Sequence, residues 1–449
     1  MKGVLIISYY FPPCGGPGSI RVLKFAKYLR DYGWEPLVLT VKEADYHVKD
    51  TSLMNEIPPE VNIFRTYIPE PYCLYRRLTG KQMDEPVDIS TVPTNHREGK
   101  KLREKLAEAF RATLFIPDAR VGWLPFALKK ALQIIRANDG IQVVFSSAPP
   151  FTCHLVACLL KKITGITWVA DYRDPWTQAY FYPQRPPITR MLEEKLECKL
   201  LKEADRVVSI NEKILKDIRE KYDLKKGKKW MVIPNGFDPS DFEDIEPIYD
   251  DSFTIIYTGS LNVRMNPKYF LEAVGQLCVE KTDFAQDVKL VFVGRTATDI
   301  APLFKDTRIA NNIHLVPHLP HKECLRYTFG ADLLLLLIPE WERSEVIMTT
   351  KIFEYIKTGR PILALAPEGE AAQLIRRLNM GFVVHPKDIA KIKNQLWKIY
   401  NLWKSQNLQV LPDEKEILQF DRKRLTEKLA RIFNEVLEEN IKECQTVEN

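Results

Sequence analysis

Residues 3–41, GVLIISYYFPPCGGPGSIRVLKFAKYLRDYGWEPLVLTV, decide the fold class. Residues 3–10 are a nearly continuous apolar run, 11–19 are loop-forming sequence with Gly15, Gly16 and Gly18, and 20–32 carry Ile20, Leu23, Ala26 and Leu29 at helical spacing. Gly33 is a helix stop, and 36–41 read as the next strand. Strand, glycine loop, helix and strand make a βαβ unit, which calls for a right-handed connection and a parallel sheet.

The alternation continues on both sides of an interruption. Residues 67–121 are proline-containing and charged and read as an insertion, with a basic helical stretch at 98–111 (EGKKLREKLAEAFR). Short apolar strands follow at 142–147, 167–172, 206–210 and 230–234, with helices at 151–163, 188–203 and from 212. Such unbroken apolar strands are expected where helices cover both faces of a sheet. Pro234-Asn235-Gly236 is turn chemistry, and the acidic stretch 238–251 behind it reads as a linker, so a domain boundary belongs there. A second series has strands at 253–258, 288–294, 313–318, 332–338, 361–367 and 381–385, and helices starting at 267, 321, 351, 369 and 388. The fold class is therefore α/β, two Rossmann-like doubly wound parallel-sheet domains, 1–235 and 236–420. The amphipathic stretch from 421 must pack on one of them.

Composition narrows the function. A chain of 449 residues exceeds one hydrophobic core, and 45% hydrophobic, 28% charged and 10% aromatic residues exclude collagen-like and disordered classes. No run reaches the ~18–20 apolar residues of a membrane span, and Met1-Lys2-Gly3 leads into a strand instead of a signal peptide, so a cytoplasmic protein is expected. The eight cysteines include no CxxC pair and no zinc-type spacing, which reads as reduced thiols and no metal. Residues 1–235 hold 38 Lys and Arg against 27 Asp and Glu, and 236–449 hold 27 against 32. The basic first half calls for an anionic partner, a membrane surface or a phosphorylated substrate. Nucleic acid is disfavoured, because no helix-turn-helix, zinc-finger or RRM signature accompanies the charge.

Four segments carry candidate chemistry. The loop Gly15-Gly16-Pro17-Gly18 puts main-chain amides at a helix N-terminus, an anion site, although it is neither a GxGxxG fingerprint nor a P-loop, and a plain tight turn is the alternative. In 349–361 (TTKIFEYIKTGRP), Lys351 and Glu354 share one helix face near the C-terminal edge of a sheet, where a lysine meets phosphate and a carboxylate accepts ribose hydroxyls. The alternative is a solvated Lys–Glu pair worth a few tenths of a kcal/mol. In 170–176 (ADYRDPW), Asp171, Arg173 and Asp174 follow a parallel strand, and could hold sugar hydroxyls or form an ordinary Arg–Asp loop network. Arg264, in 258–267 (TGSLNVRMNP), follows the first strand of the second domain, the place that corresponds to the glycine loop in the first. His154 lies within an apolar run and reads as a core histidine.

In order along the chain, GGPGS, ADYRDPW, VIPNGFD (232–238), YTGSL (257–261), VFVGR (291–295) and TKIFEYIKTGRPILAL (350–365) resemble a family 4 glycosyltransferase, retaining and nucleotide-sugar-dependent, of GT-B fold. The resemblance covers nearly the whole chain. It implies two Rossmann-like domains facing across a cleft, a donor held mainly by the second, a C-terminal helix (421–449) that returns to the first, and neither metal nor other cofactor. Residue by residue, it implies that Glu354 binds the donor ribose and that Gly15 and Gly16 approach the diphosphate or the sugar. Arg264 and Lys351 would neutralise the leaving diphosphate, with Arg295 among the donor-binding residues. Departure of a nucleoside diphosphate builds negative charge that preorganised cations stabilise. Two departures stand out: Val346 occupies the place eight residues before Glu354 where the family often has a first glutamate, with Glu345 one place off, and Arg173-Asp174 stand where many members carry a histidine. Asp174 and Arg173 are the candidates at the acceptor.

The expected activity is hexosyl transfer from a nucleotide sugar to a glycan or lipid-linked acceptor in surface polysaccharide or glycolipid assembly, on the inner face of the cytoplasmic membrane. A non-catalytic nucleotide-sugar or glycan-binding scaffold and a nucleotide-sugar epimerase of the same build remain as alternatives.

Overall fold

A computed structural model describes residues 1–42, 44, 46, 48–69, 116–179, 182, 185–305 and 308–447. The 98–111 stretch and most of the expected insertion lie outside the described residues. The chain divides into two compact units, Met1–Pro234 with Leu425–Asn449, and Asn235–Arg424.

In the first unit the elements are β1 (Lys2–Ile7), α1 (Pro17–Tyr28), β2 (Trp34–Val41), β3 (Asn62–Thr66), α2 (Leu124–Ala137), β4 (Ile141–Ala148), α3 (Thr152–Thr164), β5 (Thr167–Tyr172), α4 (Pro187–Glu203), β6 (Arg206–Ser209), α5 (Glu212–Tyr222) and β7 (Trp230–Val232). Their sheet runs β3-β2-β1-β4-β5-β6-β7 and every pair is parallel. The strand order reverses between β1 and β4, so the loops leaving these strands diverge and open a crevice.

The second unit contains β8 (Phe253–Thr258), α6 (Lys268–Glu280), α7 (Thr282–Asp287), β9 (Val288–Val293), α8 (Pro302–Lys305), β10 (Ile313–Val316), α9 (His321–Gly330), β11 (Leu333–Leu337), α10 (Lys351–Thr358), β12 (Ile362–Leu365), α11 (Glu370–Arg377), β13 (Gly381–Val384), α12 (Ile389–Lys404) and α13 (Glu414–Leu418). Its sheet, β10-β9-β8-β11-β12-β13, is again all parallel, with the reversal between β8 and β11. One face buries Leu271 and Val274 of α6 with Ile392, Leu396 and Ile399 of α12. The other buries Ile352, Phe353 and Ile356 of α10 with Leu374 and Ile375 of α11.

The last helix, α14 (Arg422–Val447), places Leu425, Leu429, Ile432, Phe433 and Val436 in one core cluster with Val4, Ile6 and Phe145 of the first sheet. Phe433 meets Trp34 and Phe145 edge to face, ring centroids 5.1 and 5.8 Å away. Arg206 of β6 pairs with Glu439 at 2.6 Å on the same helix.

Where elements differ from expectation, the cause is local. The helix expected from residue 20 starts at Pro17, because proline at the first helical position needs no N–H partner. The strand expected to reach residue 10 ends at Ile7, since Ser8 turns its hydroxyl onto the carbonyl of Tyr10 at 2.9 Å. Among the described residues Cys14, Cys153, Cys158, Cys198, Cys278 and Cys324 are free thiols, and no helix is long and apolar enough to cross a membrane.

Candidate functional site

In the first unit the glycine loop leaves β1 at the reversal point. Gly16 caps α1 with φ +90°, a left-handed backbone that a side chain would strain, and its carbonyl accepts from Ser19 and Ile20 at 3.1 Å. Gly15 is pinned by its N–H to the carbonyl of Val48 at 2.9 Å. Arg173 is buried in the loop after β5, where one nitrogen donates to the carbonyl of Gly18 at 3.1 Å and another to the carbonyl of Pro149. Its guanidinium also lies 5.7 Å from the Tyr10 ring centre. Arg173 thus ties the glycine loop to the loop after β4 and positions both.

Asp171, expected just after the strand, lies within β5 and forms a buried ion pair with a helix residue. Its carboxylate accepts two bonds from Arg21 of α1, at 2.8 and 3.1 Å, and one from Ser147 at 2.7 Å, all buried. Asp174 is half-buried in the same loop, and burial raises its carboxyl above the usual range while Arg173 opposes the shift. His154 is a core residue as expected: Nδ1 lies 2.8 Å from Ser146 Oγ and burial pushes its pKa down to about 3, although Nε2 has no partner among the described residues.

In the second unit Lys351 and Glu354 each have a partner from another element. Lys351, the first residue of α10, donates to the hydroxyl of Tyr257 at 3.0 Å and sits 4.3 Å from that ring's centre, which anchors α10 to the C-terminal end of β8. Burial brings its pKa down to about 8, with Glu354 opposing. Glu354, one turn on, faces α9, where its Oε1 lies 3.1 Å from His321 Nε2, both side chains about one quarter exposed. Gly259, directly after β8, has φ +117°, and a Cβ there would stand 2.3 Å from the Lys351 ammonium. Gly259→Ala is therefore expected to push the Lys351 side chain off its place and strain the loop, destabilising the protein by about 1–3 kcal/mol, whereas Gly275→Ala, inside α6 with open space around its Cβ and no left-handed backbone, leaves stability at or above wild type; thermal unfolding compares them.

Arg264 lies on the loop leaving β8, its guanidinium 5.0 Å from the ring centre of Trp341. The two border a cavity of about 220 Å³ that Lys268, Glu340 and Lys387 also line, beside the ends of β11 and β12. Arg295, in the loop after β9, is exposed and contributes its carbonyl to Leu261 N–H at 2.8 Å. The structure thus joins Gly259, Lys351 and Glu354 in one place, and Arg173 to the glycine loop in another. Sequence reasoning missed Tyr257, His321 and Trp341, whose contacts reach 94, 33 and 77 residues along the chain and leave no local spacing.

Residues 77–241 match the model for Glycosyltransferase Family 4, and residues 252–401 that for Glycosyl transferases group 1. Sucrose-phosphate synthase from Thermosynechococcus elongatus is similar in structure, at TM-score 0.65 and 15% identity, over 97% of this chain and 99% of that one. HepE of Anabaena, solved in complex with UDP, follows at TM-score 0.58 and 15% identity, over 97% and 100%. TarM of S. aureus, solved with fondaparinux, α-GlcNAc-glycerol and UDP, aligns at TM-score 0.61 and 8% identity, over 97% and 100%. At such identities these likenesses speak for the fold. No curated protein matches the chain. With a family 4 domain followed by a group 1 domain on two Rossmann-like sheets of the GT-B build, the chain belongs to the glycosyltransferases.

Proposed function

We propose that the protein transfers a hexose-type unit from a nucleotide sugar to the hydroxyl of a glycan or lipid-linked acceptor, retaining anomeric configuration and using no metal, in surface polysaccharide or glycolipid assembly at the inner face of the cytoplasmic membrane. The observation that carries this reading is the join of Lys351, Tyr257 and Gly259 at the end of β8 with Glu354 and His321 one helix turn away. A ribose hydroxyl pair suits the Glu354 carboxylate. The Lys351 ammonium, with Arg264 and Arg295, suits a diphosphate that gains charge as the glycosidic bond breaks. The UDP held by HepE and TarM supports a nucleotide donor.

In the first unit, Gly15 and Gly16 offer main-chain approach to the diphosphate or the sugar, Arg173 sets that loop, and Asp174 positions the acceptor. In a retaining reaction of this kind the departing phosphate takes the acceptor proton, so no separate base is required. Thermal unfolding with UDP-, GDP- and dTDP-sugars tests the reading. One donor at 100 times its Kd should add about 2.7 kcal/mol of stability, and Glu354→Ala should abolish most of that gain. No stabilisation by any donor overturns it.

One observation favours a second reading. Val346, at the place of the family's first glutamate, is a buried apolar side chain, 7% exposed. A binding-only scaffold would show donor stabilisation without turnover, and an epimerase would form product with no acceptor. Acceptor-dependent transfer excludes both.

A further inference from the structure

We propose that the outward face of α4 docks on an anionic lipid bilayer. By the ~100° step per residue of an α-helix, Ile188, Met191, Leu192, Lys195, Lys199 and Lys202 fall in one stripe about 100° wide. Ile188 is 69% exposed, Met191 45% and Leu192 42%, and the three lysines are exposed as well. The first half of the helix is inverted: its apolar residues face outward while Glu193 and Glu197 are buried.

That inversion is held in place by specific bonds. Glu197 accepts from the N–H groups of Trp176 and Thr177 and from the Tyr222 hydroxyl, and Glu193 accepts from Tyr182 and pairs with Arg185 at 3.4 Å. The helix therefore cannot turn its apolar side chains inward, and they stay in a contiguous exposed group of the kind that marks an interaction site.

Charge selects the occupant. The helix's other carboxylates are engaged outside the stripe, Glu194 with Arg190 and Lys221, and Glu203 with Lys162. The stripe itself carries only positive charge. Lys229 donates to the carbonyl of Lys202 at 2.9 Å, which sets the basic turn with exposed Lys225 and Lys226 against the lysine end. Apolar residues followed along one face by lysines match a bilayer, where the former enter the acyl boundary and the latter reach headgroup phosphates. The stripe spans about 21 Å at 1.5 Å per residue, long enough to lie along a membrane surface. This adds a docking face to the reading above, whose lipid-linked acceptor it would bring within reach.

The full chain should sediment with phosphatidylglycerol-containing vesicles and not with pure phosphatidylcholine, less so at high salt. Replacing Lys195, Lys199 and Lys202 together by Gln should lower partitioning about 100-fold, from roughly fivefold per lysine. Ile188→Ser/Met191→Ser/Leu192→Ser should lower it at least tenfold. The proposal is overturned if the wild type does not sediment, if neither variant changes sedimentation, or if the apolar variant instead abolishes self-association, which would make the face a contact between copies. Thermal unfolding of both variants checks the fold, and the glutamine variant stands alone should the serine one be unstable. Donor stabilisation is read separately in each, so vesicle binding without donor binding refutes the transferase reading and leaves the docking face standing.

Discussion

Lys351→Met is expected to lower kcat/KM for sugar transfer by about 10²–10³-fold, the effect of removing one preorganised donor from a developing anion. The ammonium is held 3.0 Å from the Tyr257 hydroxyl and against Gly259, so its place is set before substrate arrives. Methionine has a comparable length and keeps the packing over Tyr257, which separates the lost charge from a lost fold. The loss should fall on kcat more than on KM, because charge accumulates as the glycosidic bond breaks. Activity within threefold of wild type, with unchanged thermal unfolding, would remove Lys351 from the reaction.

The same residue sets a pH signature. Burial lowers its pKa from 10.5 to about 8, so the free protein loses the positive charge as pH rises through 8. Donor affinity should then fall above about pH 8, and that limb should vanish in Lys351→Met. Stability moves the other way. The native pKa lies below the unfolded one, so the cost of burying the ammonium is complete below pH 8 and is relieved between 8 and 10.5. A donor that binds better while the free protein becomes more stable across this window would contradict the assignment.

How much of this was legible in the sequence depended on whether the cause was local. β5 and β8 occupy the expected 167–172 and 253–258, because a buried parallel strand is an unbroken apolar run closed by turn residues. β3 escaped because Asn62–Thr66 is a half-exposed edge strand with no such run. Lys351 and Glu354 were legible as residues, since a helix start behind a strand of a doubly wound sheet is a place where ligands bind. Their partners were not legible, because Tyr257 and His321 come from other elements. Arg21 shows the limit most plainly: nothing local marks it among the helix positions around Ile20 and Leu23, yet it is fully buried.

Asp171→Ala is accordingly expected to destabilise the first unit by about 3–5 kcal/mol, as when one partner of a buried ion pair is removed. The Arg21 guanidinium would keep its bonds to the carbonyls of Ile233 and Pro234, both at 2.9 Å, and lose the Asp171 carboxylate. For a unit of this size the cost corresponds to a melting shift of roughly 6–20 °C. It should appear in a probe of the first unit, such as fluorescence of buried Trp34, Trp123 and Trp168, and leave donor binding by the second unit in place. Arg21→Lys is the sharper comparison. A lysine keeps the charge but cannot make the forked bond to Asp171 while also reaching both carbonyls, so it should recover only part of the loss. A shift below about 2 °C in both variants would show that the pair is incidental. A large shift in both would identify the tie between α1, which the glycine loop opens, and β5, which leads into Arg173 and Asp174, as the contact that keeps the two loops in register.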